Sequence, residues 1–139
     1  IKIMLNEIKY HADNLNKILE IEGEEGQFEY LIEHGKKGSC FPENEKSEEN
    51  LMPGCLAKVW LKTSKKNNKN YFEGDSDALI VKGLVKIITE AFSGLSTEEI
   101  KKTRHDIVNQ LGLGPSLSAR RQVGMMAMID HIKIISEAK

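Results

Sequence analysis

The sequence predicts an α+β fold: a small antiparallel sheet, made of a hairpin and a short strand, packed on one face by about five helices. Three observations carry that expectation. Apolar residues recur at helical spacing before and after the middle of the chain, two short apolar runs flank a turn-rich polar insert at its centre, and glycines or capping residues separate the segments. At 139 residues, with 40% hydrophobic and 29% charged side chains, the chain is expected to form one globular domain over residues 1–139.

In the opening segment Leu5, Ile8, Ala12, Leu15, Ile18 and Leu19 lie on one stripe of a helix, which Gly23 and Gly26 end. Phe28, Leu31 and Ile32 mark a short second helix closed by Gly35, and a polar loop runs from Lys36 to Asn50. Val59, Trp60 and Leu61, then Tyr71 to Gly74, form the arms of the hairpin, with Ser64 to Asn70 as its solvated tip. The carboxylates of Asp75 and Asp77 are expected to cap the next helix, whose residues Ile80, Val81, Leu84, Val85, Ile87, Ile88 and Phe92 make it the central, buried one. Ser96-Thr97-Glu98-Glu99 has the form of a capping box, opening a helix to about Leu111. After the turn at Gly112 to Pro115, Ser116 or Ser118 caps a last helix with Val123, Met126, Ala127, Ile129, Ile132 and Ile135 on its apolar side.

Composition excludes several classes of function. Twenty basic against twenty-one acidic side chains give a net charge of −1, which disfavours a nucleic-acid or anionic-membrane surface. The Lys- and Asn-rich hairpin insert has no interleaved aromatic residues and reads as a solvated tip. No apolar run approaches the roughly 18 to 20 residues of a membrane span. The chain is expected in the cytoplasm, or in an organelle stroma if a targeting peptide preceded Ile1. Two cysteines, Cys40 and Cys55, are too few for a disulfide framework and suit a reducing compartment.

Chemistry concentrates at Met52-Pro53-Gly54-Cys55. Pro53 presets the second position of a tight turn and Gly54 supplies the positive φ of a type II turn at the third, so that Cys55 would stand at a loop apex. Burial among Leu51, Met52, Leu56, Ala57 and Val59 would raise the thiol pKa, and Lys58, the only nearby cation in sequence, would lower it. A thiol sheltered at rest and freed by a partner would be spared oxidation. Cys40 could join Cys55 in a bond or a metal site or be an incidental loop residue, and the incidental reading is favoured: His11, His34, His105 and His131 show no ligand spacing with the cysteines, so no metal site is expected.

The segment Glu49 to Trp60, with Glu-Asn, then Pro-Gly-Cys, then Val-Trp, resembles the acceptor-cysteine segment of the SufE family. Gly74 to Ala78 followed by Ile80 to Leu84, Leu117 to Arg121 with Gly124 and Ala127 to Ile129, and Tyr30 to Lys36 are similar to three further blocks of that family, in the same order. The resemblance implies a sulfur acceptor and activator of a pyridoxal-phosphate cysteine desulfurase that feeds iron–sulfur scaffold proteins. In that reading Cys55 carries the persulfide without a cofactor on this chain, and Pro53, Gly54, Asp75, Asp77 and Arg121 occupy supporting positions. Arg121 would either pair with one of the two aspartates or stand solvated. The chain departs from the family at Leu56-Ala57, where Gln-Ser is usual, and at Val123, where Asn or Gln is usual. Competing readings are a cluster- or metal-binding scaffold using Cys40 and Cys55, and an adaptor that binds the desulfurase without accepting sulfur.

Overall fold

The computed structural model describes residues 2–37, 41–54, 57–113 and 117–138, with the side chains of Lys2 and Ile3 left out. Its regular elements are α1 (Lys2–Gly35), β1 (Val59–Lys66), β2 (Lys69–Ser76), α2 (Leu79–Phe92), α3 (Thr97–Lys102) and α4 (Ala119–Glu137), with 3-10 turns at Glu43–Glu45, Glu48–Asn50 and His105–Leu111. This is the α+β architecture expected. Gly23 (φ 73°, ψ −164°) interrupts α1, so its two parts are joined at a kink where the sequence placed a break, while Gly26 continues the second part. The buried stripe of α1 is Met4, Ile8, His11, Ala12 and Leu15; Leu5 falls outside it and is exposed.

β1 and β2 pair antiparallel from Val59↔Ser76 to Lys66↔Lys69. The hairpin closes more tightly than expected: Asn67 and Asn68 both take positive φ (54° and 62°), which forms a two-residue turn whose twist suits the strands. Most of the Ser64 to Asn70 insert is therefore strand. Val59, Leu61 and Phe72 face the core, and Gly74 lets Val85 of α2 approach: a Cβ there would meet Val85 Cγ1 at 2.6 Å and Leu61 Cδ2 at 2.7 Å. Each outer edge of the hairpin carries one isolated bridge. Leu51 bridges Trp60 beside β1, and Asn70 bridges Leu95 beside β2.

α2 is the central helix, with Leu84, Val85, Ile87, Ile88, Ala91 and Phe92 all buried. Its N-cap is Ala78, and no side chain caps it, which corrects the role expected for Asp75 and Asp77. The capping box forms as read: Glu99 N–H donates to Ser96 Oγ at 3.2 Å and Ser96 N–H donates to Glu99 Oε1 at 3.0 Å. The backbone amide of Ser96 holds the Glu99 carboxyl down at about 2. The helix after it stops at Lys102, because Thr103 is extended (φ −79°, ψ 131°), and the 3-10 turn His105–Leu111 completes the stretch expected as one helix. In α4, capped by Ser118, Ile129 and Ile132 are buried as read and Ile135 packs against the core, while in the first turns the buried methionines are Met125 and Met128, with Met126 only partly buried and Val123 exposed. Among the described residues no helix is long and apolar enough to cross a membrane.

α1 and α2 also enclose a polar cluster. His34 Nε2 donates to Glu90 at 3.0 Å, the rings of His34 and His11 stand 4.7 Å apart edge to face, and His11 Nδ1 lies 2.7 Å from the Tyr30 hydroxyl. Burial, with the neighbouring His34, pushes His11 down to about 4. An unfolded histidine titrates near 6.5, so both states are neutral above that pH. Below it the unfolded chain takes a proton that the folded chain refuses until about pH 4, and stability falls across that window by on the order of 3 kcal/mol. Chemical denaturation from pH 7 to 4 should show this loss in the wild type and a shallower one in His11→Gln.

Candidate functional site around the Pro53-Gly54 turn

Cys55 and Leu56 lie outside the described residues, as does Cys40, and the site is built from what flanks and supports them. Gly54 has φ 83°, as the third position of a type II turn requires, and a Cβ there would meet nothing within 4 Å. Its glycine is needed for backbone conformation, not for space. Below the turn Met52 N–H donates to Val59 C=O at 2.8 Å, which joins the described arms on either side of the cysteine at the first residue of β1.

Asp77 secures the returning arm. Its Oδ1 accepts from Lys58 N–H at 3.0 Å and its own N–H donates to Lys58 C=O at 3.3 Å, while Ser76 Oγ donates to the same carbonyl at 2.8 Å. Three hydrogen bonds thus converge on one residue, three positions after the cysteine. Asp77→Ala removes one of them from an exposed site; the melting temperature should shift little, at about 1 kcal/mol, while hydrogen exchange of the Lys58 amide accelerates.

Asp75 works one layer deeper. It is only 4% exposed, accepts Ser76 N–H at 2.8 Å, and is bridged by Lys46 Nζ at 3.4 Å and Lys82 Nζ at 3.3 Å. Lys46 also sits 5.6 Å from the centre of the Trp60 ring. A carboxylate removed from water needs such partners, and here they tie the 43–50 segment, β2 and α2 together under the loop. Sequence reasoning found Asp75 but missed both lysines. Neither stands at a periodic spacing from it, and only the fold brings them together.

Arg121 donates its main-chain N–H to Ser118 Oγ at 3.2 Å. Its guanidinium ion-pairs with neither Asp75 nor Asp77; the residue is partly buried on the wall of a cleft. That cleft, about 800 Å³, has Gly54, Ala57 and Val59 on one side and Ala78, Val81 and Leu84 of α2 on another. The first turns of α4 close it with Ser118, Arg120, Arg121, Val123, Met125 and Met128. Gly54 and Ala57, the described residues on either side of Cys55 and Leu56, therefore both face this cleft. Among the described residues no group of histidine, cysteine or carboxylate side chains could hold a metal ion.

A family model described as "SufE: Fe-S metabolism associated domain" matches residues 12–135. The chain is 37% identical over 116 residues to the cysteine desulfuration protein SufE of Wigglesworthia glossinidia brevipalpis, covering 81% of this chain and 79% of that protein. It is 33% identical over 110 residues to the sulfur acceptor protein CsdE of Escherichia coli strain K12, covering 78% and 75%. The solution structure of a hypothetical protein from Thermus thermophilus superposes with a TM-score of 0.73 over 95% of this chain and 94% of that one, at 16% identity, which shows a shared fold.

Proposed function

The chain belongs to the SufE family, and from that premise we propose that it accepts sulfur on Cys55 from a pyridoxal-phosphate cysteine desulfurase and passes it to iron–sulfur cluster assembly. The observation that carries the reading is Gly54 at φ 83°, the residue before the cysteine in sequence, with the described arms on either side held by Met52–Val59 and Lys58–Asp77 hydrogen bonds. A thiol so placed can be offered to a second protein while its base stays fixed.

In the transfer the Cys55 thiolate attacks the outer sulfur of the persulfide on the donor cysteine. A bond forms between that sulfur and Cys55 Sγ, the sulfur–sulfur bond of the donor breaks, and its electron pair leaves with the donor cysteine as thiolate. The outer sulfur keeps its proton, so a persulfide and a thiolate yield a persulfide and a thiolate with no net oxidation. Carbon–sulfur cleavage belongs to the pyridoxal phosphate of the donor, and this chain accelerates turnover by clearing the product. A downstream thiolate then takes the sulfur by the same exchange.

The test is to incubate the chain with a cysteine desulfurase and cysteine and to read its intact mass. A gain of one sulfur atom, reversed by dithiothreitol and mapped to the peptide holding Cys55, is expected. Sulfur found on the Cys40 peptide instead, or no gain at all, defeats the reading.

A further inference from the structure

α1 turns back on itself within a single residue. His11 Nδ1 lies 2.7 Å from the Tyr30 hydroxyl, the rings of His11 and His34 are 4.7 Å apart, and Gln27 Nε2 donates to the Leu15 carbonyl at 3.0 Å. In an unbroken helix residues 11 and 34 would stand about 35 Å apart. The reversal is made at Gly23, the one residue inside α1 whose backbone is not helical, at φ 73° and ψ −164°. That region is essentially open to glycine only. The flanking stretch from Leu19 to Glu25 holds no proline and four glutamates, which are good helix formers. A straight helix is thus open to this stretch on local grounds, and packing holds the corner.

The arm before the corner cannot simply be released. It buries Met4, Ile8, Ala12 and Leu15, and a place of the same shape is needed to cover them again. We propose that Gly23 is the hinge of an exchangeable arm: residues 2–22 leave their own core and fill the identical place in a second copy, giving a two-fold dimer in which α1 runs straight through residue 23. Every contact of the arm is then made to the partner instead, and only the corner changes. The two straightened helices lie antiparallel and cross near residue 23, where Gly26 permits close approach: in the folded-back chain an added Cβ there would meet Ile18 Cγ2 at 2.8 Å. A one-residue connection favours exchange, because it can fold back only through a backbone shape that straightening abolishes.

Gly23→Ala tests this in the full chain. The added Cβ meets nothing within 4 Å in the folded-back form, so the substitution acts on backbone conformation alone, penalising the corner and favouring the straight helix. Two corners are relieved in each dimer, each by a factor of about five or more. The concentration at which half the chains are dimeric should therefore fall about 25-fold or more below that of the wild type, read by light scattering on a sizing column. Nitroxides on the exposed positions Lys9→Cys and Glu33→Cys, in a chain carrying Cys40→Ala and Cys55→Ala and diluted with unlabelled copies, report the corner by electron–electron distance measurement. In Gly23→Ala their separation should move from a short distance across the fold to about 36 Å along one straight helix. A folded monomer that keeps the short distance overturns the exchange, and so does a dimer that keeps it, which would assign association to another surface. If Gly23→Ala does not fold, the wild type labelled in the same way decides: concentrated, warmed through its melting transition and cooled, it should yield a dimer fraction with the long distance, and absence of that fraction overturns the proposal.

Discussion

Cys55→Ala should fold, bind a cysteine desulfurase and gain no sulfur, with the desulfurase turning over at the rate it shows alone. Sulfur acceptance needs a thiolate, and alanine has no atom to attack with, so the expected loss is complete rather than graded. Cys40→Ala, which removes the only other thiol, should load as the wild type does. Gly54→Ala should fall between. Forcing an L residue to φ 83° costs about 1–2 kcal/mol, and because an added Cβ there meets no neighbour, the penalty is one of backbone conformation that the turn can relieve by rotating. Rotation would misaim the adjacent thiol, so acceptance by Gly54→Ala should slow while the final extent of loading, read by intact mass, is kept. Loading of Cys55→Ala to the wild-type extent would remove the site altogether.

The parts of this architecture legible in sequence are those with local causes. The capping box at Ser96 and Glu99, the positive φ at Gly54 and the kink at Gly23 each follow from one or two residue types at fixed offsets, and each is present. The apolar run of α2 needed only its density to identify it as the central helix. What escaped reading has non-local causes. Asp75 and Asp77 precede a helix and so resemble caps, but strand β2 runs on through Ser76, and the pull of the hairpin turns their carboxylates to Lys46, Lys82 and Lys58 N–H instead. The stretch from Thr97 to Leu111 carries a helical pattern, yet Thr103 turns its hydroxyl back to the Glu99 carbonyl at 3.0 Å and takes an extended backbone, ending the helix early. In α4 three methionines close together left the phase ambiguous, and packing chose Met125 and Met128 over Met126.

Gly83→Ala should be among the most damaging single substitutions in the fold, although it adds one methyl group to a helix and removes a poor helix former. Gly83 is buried in the second turn of α2, where that helix crosses the second part of α1. A Cβ there would run into the carbonyl oxygen of Leu31 and stand only 2.6 Å from its carbonyl carbon and 2.9 Å from its Cα. These are backbone atoms, which no rotamer change can move aside. Opposite them Gly35 repeats the arrangement, with an added Cβ 2.9 Å from Gly83 N. The two helices can accommodate the methyl only by separating, and separation would open the packing around Leu31, Leu84 and Ile87, all within 1% of full burial. A loss of roughly 3 kcal/mol is expected, lowering the melting temperature by about 10 °C. Gly124→Ala is the matched comparison: it too lies within a helix, but its Cβ would meet nothing within 4 Å, so the ordinary preference of a helix for alanine should operate and stability should rise by about 0.5–1 kcal/mol. Thermal melts of the two variants side by side separate helix propensity from helix contact. Equal shifts in the two would show that the close approach of α1 and α2 at Gly83 does not set the stability of this fold.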